Sequence, residues 1–260
     1  MSAVVDFSSV SKYYRDRGNN IVTALEDVSF TIDKGRILGL VGQSGSGKTT
    51  AARISVGLTK PSKGTVLVDG IDVTKIKDRK QLWIKAQYIH QDPYSSLDPY
   101  MSVRDVLERP LRFLLKRKSQ DVKEPVARMI NVIGLDMTFL DKRVQELSGG
   151  ERQRIMIARA FITNPVYAVA DEPTTMIDSV HRNSILELLQ RLKKEFNTSF
   201  LLITHDLSIA ADLCDDVAIM QKGKIVEYGK KDSVLGNPRE QYTRDLLSAT
   251  PERLVEASSC

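Results

Sequence analysis

A chain of 260 residues, 42% hydrophobic and 27% charged, has the size and composition of one large soluble domain or a main domain with a subdomain. Its formal net charge of +5 admits an acidic partner (a nucleotide, a nucleic acid, an anionic membrane face) and equally a lysine-rich solvated surface. No apolar run approaches the roughly 18 residues of a membrane span, and the opening "MSAVVDFSSVSKYYRDR" lacks the apolar centre of a secretory signal. Cys214 and Cys260 stand too far apart in sequence for a disulfide framework or a metal spacing, which fits a reducing cytosol.

In chain order, "AVVDF" and "VSFTI" read as early strands and "RILGLV" as a buried one. A helix is expected from Lys48 to about Val56, then a hairpin in "GTVLVDGIDV" turning at Asp69-Gly70. From about Ser102 to Asp141 the pattern turns helical, with clustered Arg and Lys, and a further helix occupies 149–163. "VYAVAD" is a short apolar strand. Ile185, Leu188, Leu189 and Leu192 share one helix face by their i, i+3, i+4, i+7 spacing. "FLLIT" is the next buried strand, "VAIMQKGKIVEYG" a hairpin turning at Lys222-Gly223, and 231–250 two short helices. There is no internal repeat and no low-complexity linker. Strands alternating with helices predict a mainly parallel α/β core.

The strongest motif is "GQSGSGKT", which fits G-x-x-x-x-G-K-[ST] and sits where that motif belongs, after an apolar strand and before a helix. Its backbone N–H groups, over Gly42, Gln43, Ser44, Gly45, Ser46, Gly47, Lys48, Thr49 and Thr50, can ring phosphate oxygens. Lys48 reaches the outer phosphates as a point charge, and the Thr49 hydroxyl is a ligand for Mg²⁺. Hydrolysis needs a carboxylate as well. "VYAVADE" ends a buried strand in Asp171, placed to hold the metal, and Glu172, placed to polarise an attacking water. His205 follows "FLLIT". A lone histidine after a strand is ordinarily structural, but parallel strands bring their C-terminal ends to one rim, where Lys48, Asp171 and His205 would converge. His90 and His181 have no such argument and read as structural or surface residues. "LSGGERQR", at 147–154, looks like a second phosphate-type loop, without a lysine, running into a basic segment.

Together these motifs resemble the nucleotide-binding subunits of ABC transporters, over about residues 4 to 250. "GQSGSGKT" looks like the family's Walker A, "VYAVADE" its Walker B with catalytic glutamate, and "LSGGE" its signature. "IHQDP" looks like the Q-loop with Gln91, "TMID" the D-loop with Asp178, and "THD" the switch histidine, His205. The D-loop departs from the usual Ser-Ala-Leu-Asp by reading Thr175-Met176-Ile177-Asp178 but keeps the aspartate. The resemblance implies a P-loop NTPase core with an N-terminal antiparallel β subdomain and a helical subdomain inserted at about 92–148, one domain over 1–250, and a short tail at 251–260. It implies ATP and Mg²⁺ as cofactors, with Thr49, Gln91 and Asp171 at the metal and an aromatic stacked on adenine: Tyr13 or Tyr14, of which Tyr14 fits the offset better. It also implies a head-to-tail dimer in which Ser148, Gly149, Gly150 and Glu151 cap a γ-phosphate held by the partner. A helix N-terminus attracts such an anion without a lysine.

"YIHQDPYSSLDPYMSV" and "NPREQYTRDLLSATP" are similar to the oligopeptide, dipeptide and nickel importer ATPases, in their second-ATPase form. That implies solute import of peptides or oligosaccharides, with a second ATPase chain (a heterodimer before a homodimer), membrane permease subunits, and an extracytoplasmic binding protein as indirect partner. The expected location is the cytoplasmic face of the membrane. The alternative is a soluble ABC ATPase acting on ribosomes, nucleic acid or an assembly scaffold. Arg104, Arg109, Arg112, Lys116, Arg117 and Lys118 make a basic stretch, but few aromatics interleave it, so a solvated helical face is the better reading and no nucleic-acid partner is expected.

Overall fold

A computed structural model describes residues 3–176 and 179–249, and within them every side chain but those of 179–181. Asp178, the side chain of His181, Cys260 and the 251–260 tail therefore lie outside the described residues.

The chain begins with two long strands, β1 (Ala3–Arg15) and β2 (Ile21–Asp33). Asp16 makes their turn by accepting from the backbone N–H of Gly18 and of Asn20, both at 2.8 Å. Then come β3 (Ile37–Val41), α1 (Lys48–Ser55), β4 (Lys63–Val68) and β5 (Ile71–Asp72). A middle run holds α2 (Arg79–Lys85), β6 (Ala86–Ile89), α3 (Pro93–Ser96), α4 (Val103–Phe113) and α5 (Lys123–Val132). Two short 3₁₀ turns, Met137–Asp141 and Val144–Glu146, lead into α6 (Gly149–Phe161), β7 (Tyr167–Asp171) and α7 (Ser179–Phe196). The chain closes with β8 (Ser199–Thr204), α8 (Leu207–Leu213), β9 (Asp216–Gln221), β10 (Lys224–Lys230), α9 (Lys231–Gly236) and α10 (Gln241–Ser248).

These elements form two compact units, one of the residues up to Lys77 with those from Ser199 onward, the other Asp78–Thr198. The first unit holds an antiparallel sheet in the order β2-β1-β4-β5, with the expected hairpin turning at Asp69-Gly70. It also holds a run β10-β9-β3-β8, in which β3 pairs in parallel with β8 and β9 and only β10 is antiparallel. β3 and β8 are buried along their whole length, so both read as unbroken apolar runs. Cys214 is a core residue of this unit. A Cβ built on Gly39 would stand 2.7 Å from its sulfur, so the glycine makes room for the thiol.

The second unit pairs β6 and β7 in parallel and carries the helices. Ile185, Leu188, Leu189 and Leu192 of α7 are all buried, as their spacing predicts. α4 starts at Ser102, whose hydroxyl accepts from the Asp105 N–H at 3.1 Å. Two of the arginines in its basic face are paired, Arg104 with Asp141 at 2.7 Å and Arg112 with Glu108 at 2.5 Å. α6 is buried on most of its circumference, through Ile155, Met156, Ile157, Ala158, Ala160 and Phe161. The structure adds α2, β6, α3 and α8, which have four to seven residues each, too few to show a period.

Candidate nucleotide site

The first unit supplies the phosphate loop. β3 runs parallel to β8 with Val41 opposite Thr204, so the loop from Gly42 and the residue His205 leave the same sheet edge. His205 is exposed there. Gly47 has φ +108, and a Cβ on it would lie 2.5 Å from the Ala24 carbonyl oxygen. A Cβ on Gly42 would lie 2.2 Å from the Met220 carbonyl oxygen. Neither position admits a side chain without backbone movement. Gly47 is also the N-cap of α1 and has no side chain to bond the first-turn N–H groups, which suits them to an anion.

Lys48 is buried, and its ammonium donates to the carbonyls of Gly42 at 2.7 Å and Gln43 at 2.8 Å. It also lies 3.5 Å from the Ser46 hydroxyl. Ser44 and Gly45 are exposed; Thr49 and Thr50 are half-buried at the start of α1. The Gln43 N–H donates to the Tyr242 hydroxyl of α10 at 3.2 Å. Tyr14 is exposed near the end of β1, with the Lys12 ammonium 4.9 Å from its ring centre, whereas Tyr13 is half-buried.

The second unit supplies the carboxylates. β6 and β7 run in parallel with Ile89 opposite Ala170, so Gln91 and the pair Asp171-Glu172 leave one edge together. Asp171 is buried, and the Tyr88 hydroxyl donates to its Oδ2. Glu172 stands at φ +46, in the left-handed region. For a residue with a side chain this costs about 1–3 kcal/mol and needs outside contacts to hold it. Its Oε2 accepts from the Thr175 hydroxyl at 2.9 Å, and the Gln91 Nε2 donates to the same oxygen at 3.4 Å. The Thr175 N–H closes the turn on the Glu172 carbonyl at 3.2 Å.

The signature residues begin α6. Ser148 is its N-cap, accepting from the Glu151 N–H at 3.3 Å, while the Ser148 N–H donates back to the Glu151 carboxylate at 2.8 Å. Gly149 and Gly150 are half-buried at the first helical positions. Among the described residues a Cβ on Gly149 would meet only the Tyr94 hydroxyl, at 3.5 Å, an ordinary contact.

The basic segment that follows does not present a cationic face. Arg152 lies over the Tyr94 ring at 4.2 Å and donates to the Leu147 carbonyl at 3.2 Å. Arg154 donates to the Ile133 carbonyl at 2.5 Å and Arg159 to that of Ser96 at 2.7 Å. Burial lowers the Arg159 pKa from the ordinary arginine value. Gln153 is buried and donates to the Pro173 carbonyl at 2.8 Å.

Lys48, Thr49, His205 and Tyr14 thus belong to the first unit, and Gln91, Asp171, Glu172 and Ser148 to Glu151 to the second. Geometry adds Tyr88, Thr175, Gln153 and Tyr242 to these. All four stand in stretches quoted above for their motifs, but no role attached to these particular side chains there.

The oxygen types fit Mg²⁺. Thr49 offers a hydroxyl in the first unit, and Gln91 an amide oxygen and Asp171 a carboxylate in the second, all hard donors. Among the described residues no cluster of three or more His, Cys, Asp or Glu side chains makes a cage. A magnesium ion shared with substrate phosphates needs no cage.

A glycine-rich phosphate loop after a buried parallel strand, with carboxylates ending another, defines a P-loop nucleoside triphosphatase. A second, self-capped glycine loop at the head of α6 narrows the class further. The family model described as ABC transporter matches residues 25–175. The chain is 35% identical, over 95% of its length and 78% of the relative's, to the oligopeptide transport ATP-binding protein AppF of Bacillus subtilis (strain 168). It is 38% identical to the dipeptide transport ATP-binding protein DppF of Escherichia coli (strain K12), over 89% of this chain and 70% of the relative. It superimposes on the ATP-binding cassette MJ0796, a dimeric post-hydrolysis structure bound to ADP and Pi, with a TM-score of 0.78 and 29% identity. That match covers 87% of this chain and 98% of the other. The chain belongs to the ABC transporter family, as an ATP-binding cassette. It is an ATPase that works on ATP with Mg²⁺. Among the described residues no helix is long and apolar enough to cross a membrane.

Proposed function

We propose that the chain is one of two cassettes that power peptide import through a membrane permease, held at the inner face of the membrane. The observation that carries this reading is the chemical difference between the two glycine loops of one chain. One is uncapped, with a buried lysine, and suits phosphates bound in cis. The other is rigidly capped, lacks a lysine, and suits the γ-phosphate of an ATP held by a partner cassette. The relatives, whose names specify oligopeptide and dipeptide transport, support peptide over other solutes. The pairing of Arg104 and Arg112 with carboxylates supports a solvated face over a nucleic-acid surface.

In this reading Tyr14 stacks on adenine, and the amides from Gly42 to Thr50 ring the phosphates. Lys48 exchanges its carbonyl partners for β- and γ-phosphate oxygens. Thr49, Gln91 and Asp171 would hold Mg²⁺, directly or through water; the ion neutralises charge on the β- and γ-oxygens when bound. Tyr88 fixes the Asp171 carboxylate. Glu172, steadied by Thr175 and Gln91, aligns and deprotonates the attacking water, help typically worth about 10² to 10⁴ in rate. His205 contacts the γ-phosphate. Ser148, Gly149 and Gly150 close over the partner's ATP, with Asp178 and Glu151 beside that interface. Hydrolysis removes the bridging charge, and the dimer opens. The helical block and the loop after Gln91 dock the permease, and a second, different cassette completes the pair. An extracytoplasmic binding protein delivers the solute.

Purification of the intact complex, followed by ATPase assays with peptides, sugars and nickel chelates, tests this. Stimulation by peptide alone is expected. Recovery with ribosomes or DNA and without membrane chains would contradict it.

A further inference from the structure

We propose that Gln153 is a positioning residue for hydrolysis, its buried amide holding the turn that aims Glu172. The proposal rests on Glu172 as the residue that activates water.

Glu172 precedes Pro173, a setting that favours extended backbone, yet it sits at φ +46. Two bonds hold it from within the turn: the Thr175 N–H to its carbonyl and the Thr175 hydroxyl to its carboxylate. Both move with the turn, so neither fixes it against the rest of the unit. From outside the turn, Gln91 reaches the carboxylate at 3.4 Å, and Gln153 holds the turn's backbone. It lies in the second turn of α6, 1% exposed, and its Nε2 donates to the Pro173 carbonyl at 2.8 Å. Pro173 is buried and adjoins Glu172. A rigid helix therefore grips the peptide next to the strained residue.

The other end of the amide shows that packing alone does not explain the residue. Gln153 Oε1 meets no hydrogen-bond donor among the described residues. A buried amide with one end unpaired is a poor core filler, and a methionine of similar volume would fill the space without that desolvation cost. What methionine lacks is the donor to Pro173. The same helix begins with Ser148 and Glu151, so on the proposed reading the arm that docks on the partner's ATP is bonded to the turn carrying this chain's own carboxylate. Docking and water activation are thereby joined by one side chain.

Gln153→Met in the assembled transporter tests this. Loss of the donor should lower kcat about 10-fold, leave KM for ATP within about twofold, and move Tm by less than about 3 °C. In a Glu172→Gln background the same change should lower the residual rate no further, because both act through one group. Gln153→Asn, polar but too short to reach Pro173, should lose kcat as the methionine variant does. A native kcat in Gln153→Met, alongside an inactive Glu172→Gln, overturns the proposal and leaves the role of Glu172 standing. A fall in Tm together with a parallel rise in KM makes Gln153 merely structural and also overturns it. Normal turnover in Glu172→Gln removes the reading on which it rests.

Discussion

The two glycine loops of this chain solve opposite problems. In the phosphate loop Gly47 has left-handed backbone and no capping side chain, and Lys48 folds back onto the loop's own carbonyls. In the signature loop neither Gly149 nor Gly150 has positive φ, and Ser148 and Glu151 cap each other's N–H groups. The first loop is shaped to wrap an anion with its backbone. The second is a preformed helix end, whose glycines bring the backbone close to whatever approaches from outside. A glycine can thus be demanded by the chain's own interior, as at Gly42 and Gly47, or by a surface that a second molecule must reach, as proposed for Gly149.

That contrast can be broken at five places. Glu172→Gln has the largest expected effect: hydrolysis falls by at least about 10²-fold while ATP binding persists, read by single-turnover assay and nucleotide titration. Lys48→Ala acts on binding itself and should weaken affinity for a fluorescent ATP analogue by about 10-fold or more. Gly149→Leu sharpens the contrast. Among the described residues only the Tyr94 hydroxyl lies near, so the chain should fold and bind ATP normally. Hydrolysis in the assembled pair should nevertheless fall by about 10-fold, the cost of blocking one close approach. Bulk at Gly47 should instead abolish cis binding.

Glu151→Gln has the smallest effect. The carboxylate places negative charge where the partner's γ-phosphate is proposed to dock, and it is partly solvated. Neutralising it should lower the ATP concentration for half-maximal activity by about two- to threefold. An unchanged or raised requirement would show that the γ-phosphate does not approach this helix end.

The sequence was most legible where one contiguous stretch carries both the element and its chemistry. "ILGLVGQSGSGKT" is a buried strand, its turn and a helix start, and the structure keeps that order from Ile37 to Ser55. "VYAVADE" was legible for the same reason. Within each unit parallel strands end side by side, Val41 beside Thr204 and Ile89 beside Ala170, while of the three residues expected at one rim Lys48 and His205 belong to the first unit and Asp171 to the second. What stayed hidden depends on contacts between distant residues. Gln43 and Tyr242 are 199 positions apart, and Gln153 and Pro173 are 20 apart on different elements. The left-handed backbone at Glu172 has no signal in residue type, because glutamate rarely adopts it. Composition also does not show where the arginines after "LSGGE" go: Arg152, Arg154 and Arg159 all reach carbonyl oxygens. A guanidinium has five donors, and a helix packed on most of its circumference offers them backbone partners.

On the proposed function, the lysine missing from the second loop is supplied by another chain. Specific ATPase activity measured against total cassette concentration, with the partner ATPase present in equal amount, tests it most directly. Activity should rise steeply with concentration and saturate as dimers form, and Gly149→Leu should stay at the low-concentration level throughout. Full activity at all concentrations, down to those where only monomers remain, would contradict it.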